Sequence, residues 1–467
     1  YHARTPDATI STENSEEPSK SVPGKSAHSF NTPKADRPLS VAPFGLGVII
    51  QQLAKFTKLS WKKLVVKRAV LLTSYPFPDD AATANRADSL ATALALKEGW
   101  EVTVLGPGPR LGKEKANEVL TAELVKRKDG SKWLPKPYQI ESCSCLKFPR
   151  DRLFSRALGE IRQALILLRA ARRHKPDFFI VMVPSPFLLL APFVLGGNRT
   201  LVDIRDIVWE YLQKSEGRLA LVGNGLERIA KWALQKSAYV STTNEAQAEK
   251  LRELGLSNNV VLQNGIGSER MACLEQIPPA GGPKEYLSVL YSGNLGRAQE
   301  LETLLLAVAG EPKIRVVLIG DGVSRSNLKE LIDKEKIENV DLKGPLPWEE
   351  TLPYYEAADV LYGQIGASYA SAVPSKLFEY IAVGRRVIFA APKGPATSIM
   401  ARFYGVSTLV PCDFEKLRAR LHAEVKQCPL AEYQVQANRH LLKEEFLRER
   451  TAGPIAEIAE RIVMRNR

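Results

Sequence analysis

The stretch from Ser371 to Ile388, SAVPSKLFEYIAVGRRVI, predicts a loop, a helix and a strand in succession. Pro374 and Ser375 are residues that start helices, and the Ser375 hydroxyl could cap the free amides of the first turn. Apolar residues recur along one helix face, Gly384 is typical of a helix end, and an apolar strand restarts at Val387. Alternating strands, loops and helices are the pattern of an α/β fold.

Lys376 and Glu379 fall in the first turns of this predicted helix. The amino end of a helix carries partial positive charge and free N–H groups, which suit a phosphate. Glu379, one turn further in, could accept two hydrogen bonds from a vicinal diol such as a ribose. This arrangement is typical of a nucleotide-sugar site, but the same residues also fit an ordinary amphipathic helix with surface charges.

Length, composition and net charge limit the number of domains and the kinds of partner. A chain of 467 residues predicts two or more domains, and 45% apolar residues suffice for large cores. The net charge of +13 indicates an anionic partner: a phosphorylated substrate, an acidic membrane or a nucleic acid.

The metal-binding residue types are scattered. The five cysteines form no Cys-x-x-Cys pair, the five histidines are not closely paired, and no Asp-x-Asp occurs. We therefore expect no metal site and no disulfide framework, with free thiols in a reducing compartment.

The first 64 residues are predicted to be a disordered arm and a basic linker. Residues 1–40 are rich in Ser, Pro, Thr and Ala, and no secretory signal is recognisable. Because the sequence starts with Tyr1 rather than Met, we expect processing or truncation. Residues 41–68 pass from apolar to basic, which fits either a segment on an anionic surface or a linker helix with a solvated basic face.

A first α/β series begins with the strand Ala69–Leu72 and a helix from about Thr83 to Glu98. The helix Leu153–His174 lies in a stretch, 143–175, with nine basic and two acidic residues. It fits a membrane-surface face or a core-packed helix with a basic outer side. Phe178–Gly197 is uncharged over twenty residues, but its prolines predict a buried strand, a loop and an apolar helix rather than a membrane span.

The strand Thr200–Ile204 ends in Arg205 and Asp206. Polar residues at the carboxyl end of a parallel strand are placed to contact ligands. The segment from Gly267 to Glu285, rich in Pro and Gly, is predicted to be an interdomain linker. A second α/β series follows from Ser288.

The predicted domains are an N-terminal acceptor domain (65–270), a C-terminal donor domain (284–430) and helices (431–467) that return toward the first domain. This organisation resembles the GT-B glycosyltransferases, in which two Rossmann-like doubly wound domains face each other across a cleft. Over residues 68–465 the chain is similar to family-4 retaining glycosyltransferases, and most similar to the surface-polysaccharide, fucosaminyltransferase-like branch. The matching motifs are YSGNLGRAQ (291–299), IGDG (319–322), PSKLFEY (374–380), VDIRD (202–206) and Asn264-Gly265.

The resemblance implies roles for particular residues. Glu379 would hold the donor ribose, the strand end from Leu342 to Gly344 would line the base, and Arg297 and Lys376 would stabilise the diphosphate. Asp206, with Asp79 and Asp80, would orient the acceptor hydroxyl. The implied catalytic residues are Arg297, Lys376 and Asp206. The implied donor contacts are Gly293, Asn294, Arg297, Gly344, Ser375, Lys376, Leu377 and Glu379.

The chain also departs from the family pattern. Asn294 and Gln299 stand where the wider family has an Arg and a Lys, Ser371 stands where it has a sugar-contacting Glu, and Arg205 stands where many relatives have His. Arg297, in the same loop as Asn294, could substitute for the missing cation.

The expected activity is metal-independent, retaining transfer from a nucleotide-diphosphate donor, a UDP-sugar, to a glycan or polyprenyl-linked acceptor. The expected location is cytoplasmic, peripheral on the inner face of the membrane. A non-catalytic sugar-nucleotide binder and a sugar-nucleotide epimerase remain alternatives. A nucleic-acid partner is not expected, because no aromatic-plus-basic module accompanies the net charge.

Overall fold

The computed structural model describes residues 66–74, 82–107, 136–143, 153–183, 185–213, 217–280 and 285–467. The predictions for residues 1–64 and for Asp79 and Asp80 lie outside these ranges. Leu64–Arg467 forms one compact unit, which contains both predicted α/β series.

Within the described ranges, the first sheet has seven parallel strands in the spatial order β3-β2-β1-β4-β5-β6-β7. The strands are β1 (Lys67–Leu72), β2 (Trp100–Pro107), β3 (Gln139–Cys143), β4 (Phe178–Val183), β5 (Thr200–Ile204), β6 (Tyr239–Thr242) and β7 (Asn259–Val261). The accompanying helices are α1 (Ala82–Ala95), α2 (Leu153–Arg173), α3 (Ala191–Leu195), α4 (Val208–Gln213), α5 (Arg218–Leu234) and α6 (Glu245–Glu253).

Strand β4 shows why this sheet is buried on both faces. All six of its residues are apolar and buried. Phe179 and Val181 point into a cluster with α2, α3 and α5, whereas Phe178 and Ile180 point into a cluster with α1 and the last helix. A continuous apolar run is what a parallel strand covered on both faces requires, and the first part of the uncharged stretch, Phe178–Val183, was therefore correctly predicted as a strand.

The second sheet, as far as the structure describes the chain, has six parallel strands in the order β10-β9-β8-β11-β12-β13. The strands are β8 (Leu287–Ser292), β9 (Ile314–Ile319), β10 (Val340–Leu342), β11 (Val360–Gln364), β12 (Arg386–Ala390) and β13 (Val406–Leu409). The helices are α7 (Ser268–Glu275), α8 (Glu302–Val308), α9 (Arg325–Lys334), α10 (Trp348–Ala357), α11 (Lys376–Val383), α12 (Pro395–Met400), α13 (Phe414–Val425), α14 (Glu432–Glu445), α15 (Arg448–Thr451) and α16 (Pro454–Asn466). Two doubly wound parallel sheets confirm the predicted fold class.

Two chain segments connect the halves of this unit, and they are hydrogen-bonded to each other. The Ile266 amide donates to the Phe446 carbonyl, and the Arg448 amide donates to the Ile266 carbonyl, both at 2.9 Å. Helix α16 then packs on the first sheet, where Ile458 and Ile462 are buried. Lys67 and Trp100 both donate to its Glu460. The C-terminal residues therefore belong to the core of the N-terminal half.

The structure differs from the sequence analysis in the segment from Gly267 to Glu285. It was predicted to be a linker, but residues 268–275 form helix α7, with Met271 and Leu274 fully buried. Glycines and prolines occur only on either side of this helix. The apolar spacing of Met271 and Leu274 was the sequence signal that the composition of the whole segment concealed.

A membrane span was not expected, and no helix among the described residues is long and apolar enough to cross a bilayer.

The loops after β8 and β9 depend on a glycine at position 320. Gly320 has φ +145°, and a Cβ added there would lie 1.8 Å from the carbonyl oxygen of Gly293. The Gly293 amide in turn donates to the Ile319 carbonyl at 2.9 Å. Because backbone meets backbone here, a side chain could be accommodated only by moving one of the loops.

We therefore expect Gly320→Ala to lower the free energy of unfolding by about 2 kcal/mol or more, through backbone strain and the clash. Gly344→Ala is the matched control, since no heavy atom lies within 4 Å of its added Cβ. Urea denaturation of the two variants and the wild type would measure the difference. Equal stability of the two variants would contradict this account of the loops.

Candidate active site

The order of strands in the second sheet defines one place for a ligand. Strands β8 and β11 are neighbours, but their chains continue in opposite directions across the sheet. At such a switch point the loops that follow the strands separate and leave a crevice. The two loops meet through the Gly366 amide, which donates to the Ala298 carbonyl at 2.8 Å. The residues predicted for the donor site lie mainly on these loops and on α11.

Helix α11 begins at Lys376 and is almost wholly buried. Gly384, with φ 80°, ends it as predicted. The predicted cap by Ser375 is wrong: its backbone is already helical, and its side chain makes no capping hydrogen bond. The Leu377 and Phe378 amides instead donate to the carbonyls of residues 374 and 375, at 3.3 and 3.2 Å. The Leu377 side chain packs in the core, so only its backbone lies at the helix start.

The carboxylate of Glu379 is buried and accepts three hydrogen bonds. Glu379 is only 3% exposed. Oε1 accepts a hydrogen bond from Arg270 Nη1 at 2.9 Å. Oε2 accepts from Lys376 Nζ at 3.0 Å and from the Trp348 ring N–H at 3.2 Å. Burial alone would raise the pKa of Glu379, but the charges of Lys376 and Arg270 outweigh it and hold the pKa at about 2. Glu379 is therefore ionised at neutral pH.

Arg270 was missed by the sequence analysis because it lies on α7, within the predicted linker. Its guanidinium also sits over the Trp348 ring, 4.9 Å from the centroid. Helix α7 thus supplies one of the two cations that neutralise Glu379, and α11 supplies the other.

Two more arginines, Arg205 and Arg448, add positive charge nearby. Burial, together with the nearby cations Arg270 and Arg205, lowers the pKa of Arg448 to about 10, although Glu379 opposes the shift. Arg448 is 9% exposed. Arg205 donates to the Thr83 hydroxyl, whereas its buried Nε has no hydrogen-bond partner within the described part of the chain. Arg205 from the N-terminal half, Arg270 and Glu379 therefore all lie close to Arg448.

Asp206 and Arg297 are both near Tyr369. Burial raises the pKa of Tyr369, Asp206 adds to the rise and Arg297 opposes it. Arg297 and Asp206 are exposed, and Asp206 accepts a hydrogen bond from the Tyr211 hydroxyl at 3.3 Å. The rings of Tyr211 and Tyr369 are in contact, with centroids 4.3 Å apart. Since Tyr211 and Tyr369 come from different halves, Asp206 and Arg297 both lie near a contact between the two halves.

The other predicted donor contacts lie in the loops. Asn294 donates to the Gln299 side chain at 3.3 Å, so the two residues that replace the family's cations are joined to each other. Gly293 is held against Gly320, as described above. Gly344 follows β10, with open space around its α-carbon. Arg325 donates to the Lys343 carbonyl at 2.5 Å and so anchors that loop.

Ser371 is buried and is bound by residues of the other half. Its hydroxyl donates to Glu210 Oε2 at 3.3 Å, and its carbonyl accepts from Asn244 Nδ2 at 2.9 Å. Glu210 is also paired with Lys250. A carboxylate therefore does lie at this position, but it comes from α4, about 160 residues earlier, which no local motif could indicate.

No group of three or more His, Cys, Asp or Glu side chains that could hold a metal ion occurs in the residues that the structure describes.

Two models of known protein families match the chain, one over each half. Residues 82–265 match the model of the glycosyl transferase 4-like domain, and residues 275–440 match that of the glycosyl transferases group 1. A relative from Escherichia coli (strain K12), WcaI, proposed to be a glycosyl transferase of colanic acid biosynthesis, is 27% identical over 323 residues. That match covers 63% of this chain and 76% of the relative.

Solved structures share the fold. Sucrose-phosphate synthase from Thermosynechococcus elongatus has a TM-score of 0.62 at 17% identity, over 85% of this chain and all of that one. WaaG, a glycosyltransferase of lipopolysaccharide biosynthesis, has a TM-score of 0.59 at 15% identity, over 83% and 99%. Anabaena HepE, solved with UDP and glucose, has a TM-score of 0.57 at 14% identity, over 84% and 99%. With a 4-like domain followed by a group 1 domain on two doubly wound sheets, the chain is a member of the group 1, GT4-like glycosyltransferases of GT-B fold.

Proposed function

We propose that the protein transfers a sugar, with retention, from a nucleotide-diphosphate donor to a glycan or polyprenyl-linked acceptor. The observation that carries the proposal is the pair Lys376–Glu379 at the start of a buried helix, at the switch point of a group 1 domain. A UDP-sugar is the proposed donor, supported by the UDP bound to HepE. WcaI and WaaG, by their names, support an acceptor in surface-polysaccharide synthesis.

The ion pairs of Glu379 suggest how the donor would enter. A carboxylate has about four lone-pair sites, and Arg270, Lys376 and Trp348 use three of them. Oε1 can accept one more hydrogen bond. When a diphosphate arrives, Lys376 can turn toward it and release a second site on Oε2. Glu379 would then accept both hydroxyls of a ribose while Arg270 keeps it ionised.

The proposed catalysis is electrostatic. Cleavage of the sugar–phosphate bond leaves negative charge on the departing diphosphate. Lys376, Arg297 and the amino end of α11 would stabilise that charge without a metal ion. Gly293, Asn294, Ser375 and the backbone of Leu377 would contact the phosphates, and Gly344 would lie beside the base. Asp206 would orient the acceptor hydroxyl. The retaining course, inferred from the family resemblance, needs no protein nucleophile.

Glu210 could take the place of the carboxylate that the family has at position 371. It reaches Ser371 from the N-terminal half, and its carboxylate is paired with Lys250. A sugar held between Ser371 and Glu210 would touch both halves, so binding it would favour the closed cleft.

A non-catalytic sugar-nucleotide binder is the second candidate. It is favoured by the hydrogen bond between Asn294 and Gln299, because two neutral amides replace two cations beside the diphosphate. Such a protein would bind the nucleotide with the same residues but would show no turnover.

Lys376→Ala and Arg297→Ala are each expected to reduce turnover of the donor by about 100-fold, because each removes a charge that stabilises the leaving diphosphate. Lys313→Ala is the matched control, since this exposed lysine precedes β9, at the opposite end of the sheet. Hydrolysis or transfer would be followed with a panel of UDP-sugars, and UDP affinity by calorimetry. If both site variants turn the donor over at the wild-type rate, the assignment is refuted. If the wild-type protein binds UDP but turns over none of the UDP-sugars, the second candidate is favoured.

Glu379→Gln is expected to lower stability most above pH 5. In the folded wild type the Glu379 pKa is depressed to about 2, so the stabilisation is present above the ordinary carboxyl pKa and is lost as pH falls toward 2. The difference in unfolding free energy between wild type and variant should therefore narrow from about pH 5 to pH 3. Urea denaturation across this range would measure it, with exposed Glu330→Gln as control. A gap that stays constant or widens would show that these ion pairs do not stabilise the fold.

A further inference from the structure

Helices α2, α3 and α5 form one layer on a single face of the first sheet. Their buried side chains share one apolar cluster, to which α2 contributes Leu167 and Leu168, α3 Leu195, and α5 Ala230 and Leu234. The opposite sides of these helices therefore face away from the sheet together. Helices α1 and α16 cover the other face of the sheet.

The outer side of α5 is apolar, which is unusual for an exposed helix face. Leu221, Val222, Ile229 and Trp232 recur at helical spacing and are 71, 56, 49 and 55% exposed. Each of these residues therefore exposes about half of its surface or more to solvent. A surface helix of a globular protein normally carries polar residues on the side that faces away from the core. Because this side of α5 is apolar instead, it is suited to binding a partner.

The short helix α3 extends the apolar surface. Phe193 stacks on Trp232, with ring centroids 3.9 Å apart, and both rings are exposed. Leu190, just before α3, is exposed as well. On α2, the exposed Leu158 and Leu165 lie on one stripe of the helix. We call these eight residues the outer apolar patch.

The charges around the patch are almost all positive. The α2 stripe continues with exposed Arg162, Arg169 and Arg172, and α5 and its end carry exposed Arg228, Lys231 and Lys236. The two described acids of these helices are less exposed and are hydrogen-bonded: Glu160 accepts from Ser185, and Glu227 from Gln213. A surface that combines exposed aromatic rings, leucines and cations matches the boundary of an anionic bilayer, where rings lie at headgroup level and cations meet lipid phosphates.

We propose that the outer apolar patch docks the protein on an anionic lipid surface. A second copy of the chain fits the patch less well, because a symmetric pairing would bring the arginines and lysines of one copy against those of the other. The proposal deepens the peripheral membrane location expected from the sequence, and it rests on the proposed function, since docking would hold the cleft close to a polyprenyl-linked acceptor. It also changes the sequence-based expectation: α2 supplies cations, but the apolar contact comes mainly from α3 and α5.

Flotation of the full chain with vesicles of neutral phosphatidylcholine, with and without phosphatidylglycerol, tests the proposal. We expect wild-type binding to the anionic vesicles that weakens as salt rises. The double variant Ile229→Ser/Trp232→Ser should bind about tenfold more weakly, and so should Arg228→Glu/Lys231→Glu. Val323→Ser/Tyr404→Ser, which removes exposed apolar residues of the C-terminal half, is the matched control and should bind like the wild type.

UDP affinity and circular dichroism of each variant separate docking from folding and from the donor site. Loss of vesicle binding with unchanged UDP affinity supports the docking face, whether or not the proposed transfer reaction is confirmed. Vesicle binding that is unchanged in both patch variants overturns it, because residues 41–68 would then suffice. The proposal is also overturned if light scattering shows a wild-type dimer and both patch variants are monomers, because the patch would then bind a second copy of the chain.

Discussion

The hydrogen-bonded, buried carboxylate of Glu379 is the constraint on which the arrangement of the candidate site depends. A single carboxylate in the interior is costly unless cations and donors surround it. Arg270, Lys376 and Trp348 meet that requirement from three helices, α7, α11 and α10. The carboxylate therefore holds α7, in the segment that connects the halves, in a fixed position against α11. The same contacts keep Glu379 ionised and hold the amino end of α11 at the crevice, where we propose that the donor binds.

Positive charge is placed in two separate regions. One set, Arg205 and Arg270 with Arg448, lies around Arg448 and beside Glu379, where the two halves meet. The other lies on the outer faces of α2 and α5, beside exposed apolar residues. In our proposals Lys376 and Arg297, near the inner set, bind a diphosphate, whereas the outer set binds lipid phosphates.

Most of the fold could be predicted from sequence because its signals are local. Apolar runs such as Phe178–Val183 mark strands covered on both faces, and glycines mark the turns that follow them. The site was predictable only where its residues share one helix, as Lys376 and Glu379 do. Arg270 was hidden in a segment whose prolines and glycines suggested a linker. Glu210 reaches Ser371 from the other half, and such long-range pairing leaves no trace in spacing.

A crystal structure of the chain with a UDP-sugar is the most direct test of the central claim, that the Glu379 cluster and the start of α11 form the donor site. The account predicts the diphosphate within hydrogen-bonding distance of Lys376 and Arg297, the ribose hydroxyls on Glu379, and Arg270 still paired with that carboxylate. A nucleotide bound elsewhere, with the Lys376–Glu379 pair untouched, would contradict it.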